Sequence, residues 1–163
     1  MKATWGRCVR AAFLMFICAA FLMCAACGRE RPQTIDQIST LIEDSANFTN
    51  MSTLSDAQLS NYFDHSKEGV LQAKMVISDS ESVADEYAVF ELEDGNDGTE
   101  ILAVISEHIA NRQNSFRETS QTEYAKLQNS IIRQLDNFRI LVVCENYVQV
   151  AKVLEENGAK AIK

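Results

Sequence analysis

Imidazoles, thiols and paired carboxylates do most enzyme chemistry, and this chain holds few of them in a usable pattern. Its two histidines, His65 and His108, stand alone. A zinc centre needs about four ligands at helix or loop spacing. Neither histidine has a cysteine nearby, and no His-Glu-x-x-His run occurs. His108 follows Ile105 by three residues, which sets it as a boundary residue beside the apolar face of a helix. The run Asp94-Gly95-Asn96-Asp97-Gly98 superficially resembles a calcium loop. Counted from Asp94, however, Thr99 stands where the sharp-turn glycine belongs, and Ile105 where the bidentate glutamate belongs. We read it as a solvated connection, with Glu93, Asp94, Asp97 and Glu100 near the positive end of the next helix. Asp85 and Glu86 open a strand, and adjacent strand positions point to opposite faces. They therefore cannot form the facing carboxylates of glycoside hydrolysis. Asp85 is expected to help a turn and Glu86 to face outward. No Gly-x-Ser-x-Gly elbow, Walker loop or dinucleotide fingerprint is present. The residues name no catalytic group, cofactor site or metal site.

The five cysteines do not form a disulfide framework. Three of them, Cys8, Cys18 and Cys24, lie in an opening segment that reads as an export signal. That segment holds three cations and no acid through Arg10, then the uncharged run Ala11 to Ala26. The run has sixteen residues, short of the roughly 20 that cross a bilayer. It ends Ala25-Ala26-Cys27-Gly28, and small residues before the cut suit a signal peptidase. Cleavage is expected between Ala26 and Cys27, with a lipid attached to Cys27, as in a bacterial lipobox. Cys24 stands where that motif usually has leucine. Only Cys144 remains, in an apolar stretch, and it reads as a small core hydrophobe rather than a nucleophile.

Processing at that point leaves twelve cations against twenty-three acids, a net charge of −11. So acidic a surface excludes nucleic acid, whose phosphates need clustered Lys and Arg. It also excludes electrostatic adhesion to anionic headgroups. The lipid on Cys27 must hold the chain to the membrane.

The elements that would position any site follow from periodicity. Residues 27–33 form a lipidated cysteine and short tether, and 34–163 a single domain. Thr34 caps a helix carrying Ile35, Ile38, Leu41 and Ile42, which ends near Asn47. Asn47 to Ser52 reads as a polar loop, and Ser55 caps a short helix through Phe63. Val70 to Ser78 and Glu86 to Glu93 alternate as strands. Thr99 to Phe116 is a long amphipathic helix, and a shorter one follows around Tyr124 and Leu127. Ser130 to Leu135 and Phe138 to Cys144 are two more strands, the second apolar on both faces and so central. Asn146 caps a last helix that Asn157-Gly158 stops, and the tail to Lys163 reads as loose.

Four segments occur in an order that resembles a known family: Leu54-Ser55-Asp56-Ala57-Gln58-Leu59, then Ala84 to Phe90, Arg112 to Phe116, and Asn129 to Val143. They are similar to Gram-positive lipoproteins carrying domain of unknown function four-three-five-eight, over a core of about residues 54–156. The best motif is Asp85-Glu86-x-Ala88-Val89-Phe90. The Tyr and Pro that often follow the family's long helix are replaced by Thr119 and Gln121. The resemblance implies a lipoprotein address and supplies no catalytic residue.

The expected fold is α+β. Two strand-strand-helix units build a four-stranded, mainly antiparallel sheet with helices packed over one face, after short N-terminal helices. The expected function is that of a membrane-anchored extracytoplasmic lipoprotein on the outer face of the cytoplasmic membrane. It would be a non-catalytic binding or accessory domain for an envelope protein. The rival expectations are a cell-envelope hydrolase with an acidic site, and a small-ligand or cation sensor.

Overall fold

A computed structural model describes residues 31–63 and 69–162. Ala26, Cys27 and His65 lie outside these described residues. The first helix, α1 (Ile35–Ser45), begins where Thr34 Oγ1 accepts a hydrogen bond from Gln37 N. Ile35, Ile38 and Ile42 recur at three and four and are buried. Strand β1 (Met51–Thr53) follows, then α2 (Asp56–Tyr62), whose start is a full capping box between Ser55 and Gln58. A hairpin of β2 (Val70–Ser78) and β3 (Glu86–Leu92) leads into the long α3 (Thr99–Phe116) and the shorter α4 (Gln121–Gln128). A second hairpin, β4 (Ile131–Leu135) and β5 (Phe138–Val143), leads into α5 (Tyr147–Glu156) and β6 (Lys160–Ala161).

The sheet has six strands in the order β1-β2-β3-β5-β4-β6, and every pairing is antiparallel. This corrects the expected four-stranded sheet. The two additional strands are its edges, read from sequence as the Asn47–Ser52 loop and the loose tail. Three and two residues are too few to show a period of two, and their side chains are largely exposed. Backbone pairing, which hydropathy does not register, makes them strands.

Helices cover both faces of the sheet, where the sequence suggested one. On one face α1 and α5 pack on Tyr87, Val89, Ile140 and Val142. On the other, α2, α3 and α4 pack on Met75, Ala88, Phe90 and Leu141. Strand β3 is consequently buried on both sides, as β5 is. Its alternation, with Ala88, Phe90 and Leu92 on one face, suggested a one-sided strand; Tyr87 and Val89 are buried on the other.

The Asp94–Gly98 loop is held by an arginine. Arg139, buried in β5, donates from Nη2 to Asp97 O at 2.7 Å and from Nη1 to Asp136 O at 3.3 Å. Gly98 has φ +74, and a Cβ there would lie 2.5 Å from Arg139 Nε, so only glycine fits. Hydrogen bonds from Thr99, helped by the Arg139 charge, hold the Asp97 carboxyl below its ordinary range.

Candidate functional site

The motif acids at the start of β3 are the origin of the site. Glu86 is fully buried, contrary to the expectation that it faces outward. His108 Nε2 and Glu86 Oε1 share a hydrogen bond at 2.9 Å. Arg112 Nε stands 3.6 Å from Glu86 Oε2, and its guanidinium lies over the Phe116 ring. Neither Oε2 nor this Nε has a hydrogen-bond partner among the described residues, so that contact is charge attraction alone. His108 is buried rather than at a boundary. Its ring meets Tyr62 edge-on at 5.7 Å and Phe63 at 5.2 Å, and Phe63 meets Phe90 edge-on at 5.0 Å. The buried carboxylate thereby orients α3, and α3 in turn fixes the end of α2.

Asp85 pairs with Lys126 Nζ of α4 at 2.8 Å, a larger commitment than the turn expected of it. Lys126 also reaches Glu123, 3.1 Å away, and Glu123 accepts from Ala84 N. Burial disfavours the Lys126 ammonium, yet its hydrogen bonds to Asp85 and Glu123 outweigh that and leave its pKa raised. Cys144 is buried as a core residue. Burial, then the Asp85 charge, pushes its thiol up to about 11, which opposes a nucleophilic role.

With α2 fixed, a groove of about 600 Å³ opens between it and β2, lined by Asp56, Leu59, Phe63, Val70, Leu71 and Phe90. Leu71 is 57% exposed, more so than Tyr62 of α2. A second groove of about 520 Å³ lies where α1 begins, beside Asp36, Lys74 and Glu91. Asp56, Gln72 and Ala73 line both, so the two depressions meet around one strand edge.

Among the described residues that edge is uncovered. β1 pairs only with Val76, Ile77 and Ser78. Leu54 N then donates to Met75 O, and Ser55 turns the chain into α2. The bond from Ser78 N to Asp85 O fixes the alternation along β2. Lys74 and Val76 address β3, while Ala73 and Met75 address the side of β1. No described backbone or side chain meets the Ala73 N–H or C=O. A bulge between Val70 and Gln72 ends this stretch.

A third groove, of about 580 Å³, lies between α2 and α3 over Asn61, Glu107, His108, Asn111 and Arg112. Among the described residues no cluster of three or more His, Cys, Asp or Glu could hold a metal ion. No described helix is long and apolar enough to cross a membrane. Sequence reasoning singled out Asp85, Glu86 and His108 but did not bring the last two together. It missed the β2 edge, whose one visible signal is Leu71 continuing the apolar face of the strand beyond Ala73.

A family model described as "Domain of unknown function (DUF4358)" matches residues 44–144, more than half of the chain. No curated protein and no solved structure matches.

Proposed function

The chain belongs to the DUF4358 family, and from that premise we propose that it is a non-catalytic binding domain, anchored by a lipid on Cys27 at the outer face of the cytoplasmic membrane. One observation carries the binding role: among the described residues the β2 edge at Ala73 is left unpaired between two grooves. Exposed strand edges are templates for another chain, and proteins usually cover or charge them. The buried charges at Asp85 and Glu86 are engaged with Lys126, His108 and Arg112 inside the fold. They serve as struts for the helices. The address is supported by the Ala11–Cys27 pattern.

Two experiments test this reading. Palmitate labelling of the full chain in a bacterial host should disappear in Cys27→Ala, with the protein released from the membrane; unchanged label and retention would refute the anchor. In-cell cross-linking should recover a reproducible envelope protein that is lost when the folded domain is deleted and the anchor kept. Turnover of a specific substrate by the purified chain would contradict a non-catalytic role.

A second reading, a small-ligand sensor, is favoured by the groove over His108 and Arg112. No internal hydrogen bond engages the side chains of Asn61 and Asn111 there among the described residues. It requires a ligand-dependent rise in melting temperature that Arg112→Ala abolishes.

A further inference from the structure

We propose that the β2 edge takes an extended segment of a partner protein, added as a seventh strand, whose side chains alternate between apolar and cationic. This inference rests on the binding role argued above and gives that role a site and a chemistry.

Strand addition needs free main-chain groups on a sheet edge, and pockets that receive every second side chain. Both requirements meet at Ala73. Its N–H and C=O face away from β3, beyond the point where Ser55 diverts the chain into α2. An added strand sends successive side chains to opposite faces of the sheet. Here each face offers a different receptor.

On the α2 face the groove has an apolar wall of Leu59, Phe63, Val70 and Phe90, suited to a branched or aromatic side chain. On the α1 face the groove presents Asp36 and Glu91, and Asp56 stands at the junction of the two grooves. Among the described residues Lys74 is the one cation lining that second groove; it lies 3.7 Å from an Asp36 that is itself largely exposed. The acids therefore exceed the cation, and a Lys or Arg on the incoming strand would complete the balance. The net charge of −11 after processing at Cys27 attracts such a segment over distance. The same charge opposes a second copy of this chain, which would set Asp56 and Glu91 against their own counterparts.

The test uses the full lipidated chain in detergent and a synthetic peptide alternating valine and lysine. Three controls accompany it: valine alternating with glutamate, the valines and lysines in two blocks, and the alternating peptide with N-methyl groups on every second residue. The alternating Val-Lys peptide should bind, and each control should bind at least about tenfold more weakly. Glu91→Lys combined with Asp56→Lys should weaken it by a similar factor. Ala73→Pro should abolish it, because proline removes the outward N–H while sparing the bonds to β3. The N-methylated peptide applies the same test to unmodified protein, so misfolding of that variant cannot decide the outcome.

Equal binding by the block or N-methylated peptide would reduce the effect to charge attraction and overturn strand addition. Equal binding by Val-Glu, absence of binding, or self-association of the chain through this edge would overturn it as well. A photo-cross-linking side chain at Leu71, used in cells, separates the two proposals. If an envelope partner is recovered by general cross-linking but never through Leu71, the binding role stands and the β2 site fails.

Discussion

The two edges of the sheet are finished differently. At the β4 edge the chain leaves α5 through Gly158, whose φ of +96 turns it back, and β6 pairs across Arg133 and Gln134. Arg133 then joins Glu155 of α5 at 3.0 Å, and Ala159 is buried beneath the return. At the β2 edge, β1 pairs for three residues and stops, because Ser55 caps α2 and takes the backbone away. The capping box that starts the helix thus also decides where strand pairing ends. At one edge a returning tail pairs two residues of β4; at the other a departing helix leaves Ala73 unpaired among the described residues and forms the wall of a groove. The open edge lies inside the family-matched segment 44–144, while α5 and β6 lie beyond it.

The contrast can be broken most strongly through the strut beneath α2. In His108→Leu, buried Glu86 keeps only Arg112, at 3.6 Å. Removing one partner of a buried charge costs about 3 kcal/mol, read by urea denaturation. Hydrogen exchange should quicken around α2 and leave the β4 edge unchanged. A loss below about 1 kcal/mol would show that apolar packing alone holds α2.

Removing the tail from Lys160 onward should give the β4 edge the openness of the β2 edge. Stability should fall by about 1–2 kcal/mol with the lost backbone pairing. Sedimentation should then detect concentration-dependent association. A monomer of unchanged stability would mean that β6 contributes nothing to closing the sheet.

Ser55→Ala acts on the open side. Loss of the cap should cost about 1 kcal/mol. Ser55 no longer fixes the departure of the chain, so the groove beside Leu59 should loosen and peptide binding weaken with it. Equal binding would detach the groove from its cap.

The smallest effect is a control remote from the contrast. Lys126 has a raised pKa in the fold, so its contribution is fully present below its unfolded value, about 10.4. It is lost as pH rises through the higher folded value. The stability difference between the wild type and Lys126→Met should fade across that alkaline window. A difference that grows there would reverse the assignment.

Much of this architecture is legible in the residues. Thr34 and Ser55 cap the first two helices, the apolar spacing from Ile101 to Phe116 marks α3, and the two-sided run Phe138–Val143 marks a central strand. Asn157-Gly158 marks the end of α5 but conceals the return that follows it. Asn146 stands at the start of α5 as expected, yet its side chain bonds Ser45 O and Asn47 N instead of capping the helix. The candidate site was far less legible. The burial of Glu86 depends on His108, 22 residues away, and local hydropathy carries no trace of such a partner. The open edge is a property of what pairs with β2, and β1 shows no strand period of its own.

The most direct measurement is hydrogen exchange at single amides of β2 in the full lipidated chain. The Ala73 amide should exchange far faster than the neighbouring Lys74 and Val76 amides, which address β3, and should become protected when the alternating Val-Lys peptide is bound. An Ala73 amide already as protected as Lys74 in the protein alone would contradict an open edge, and with it the proposed binding site.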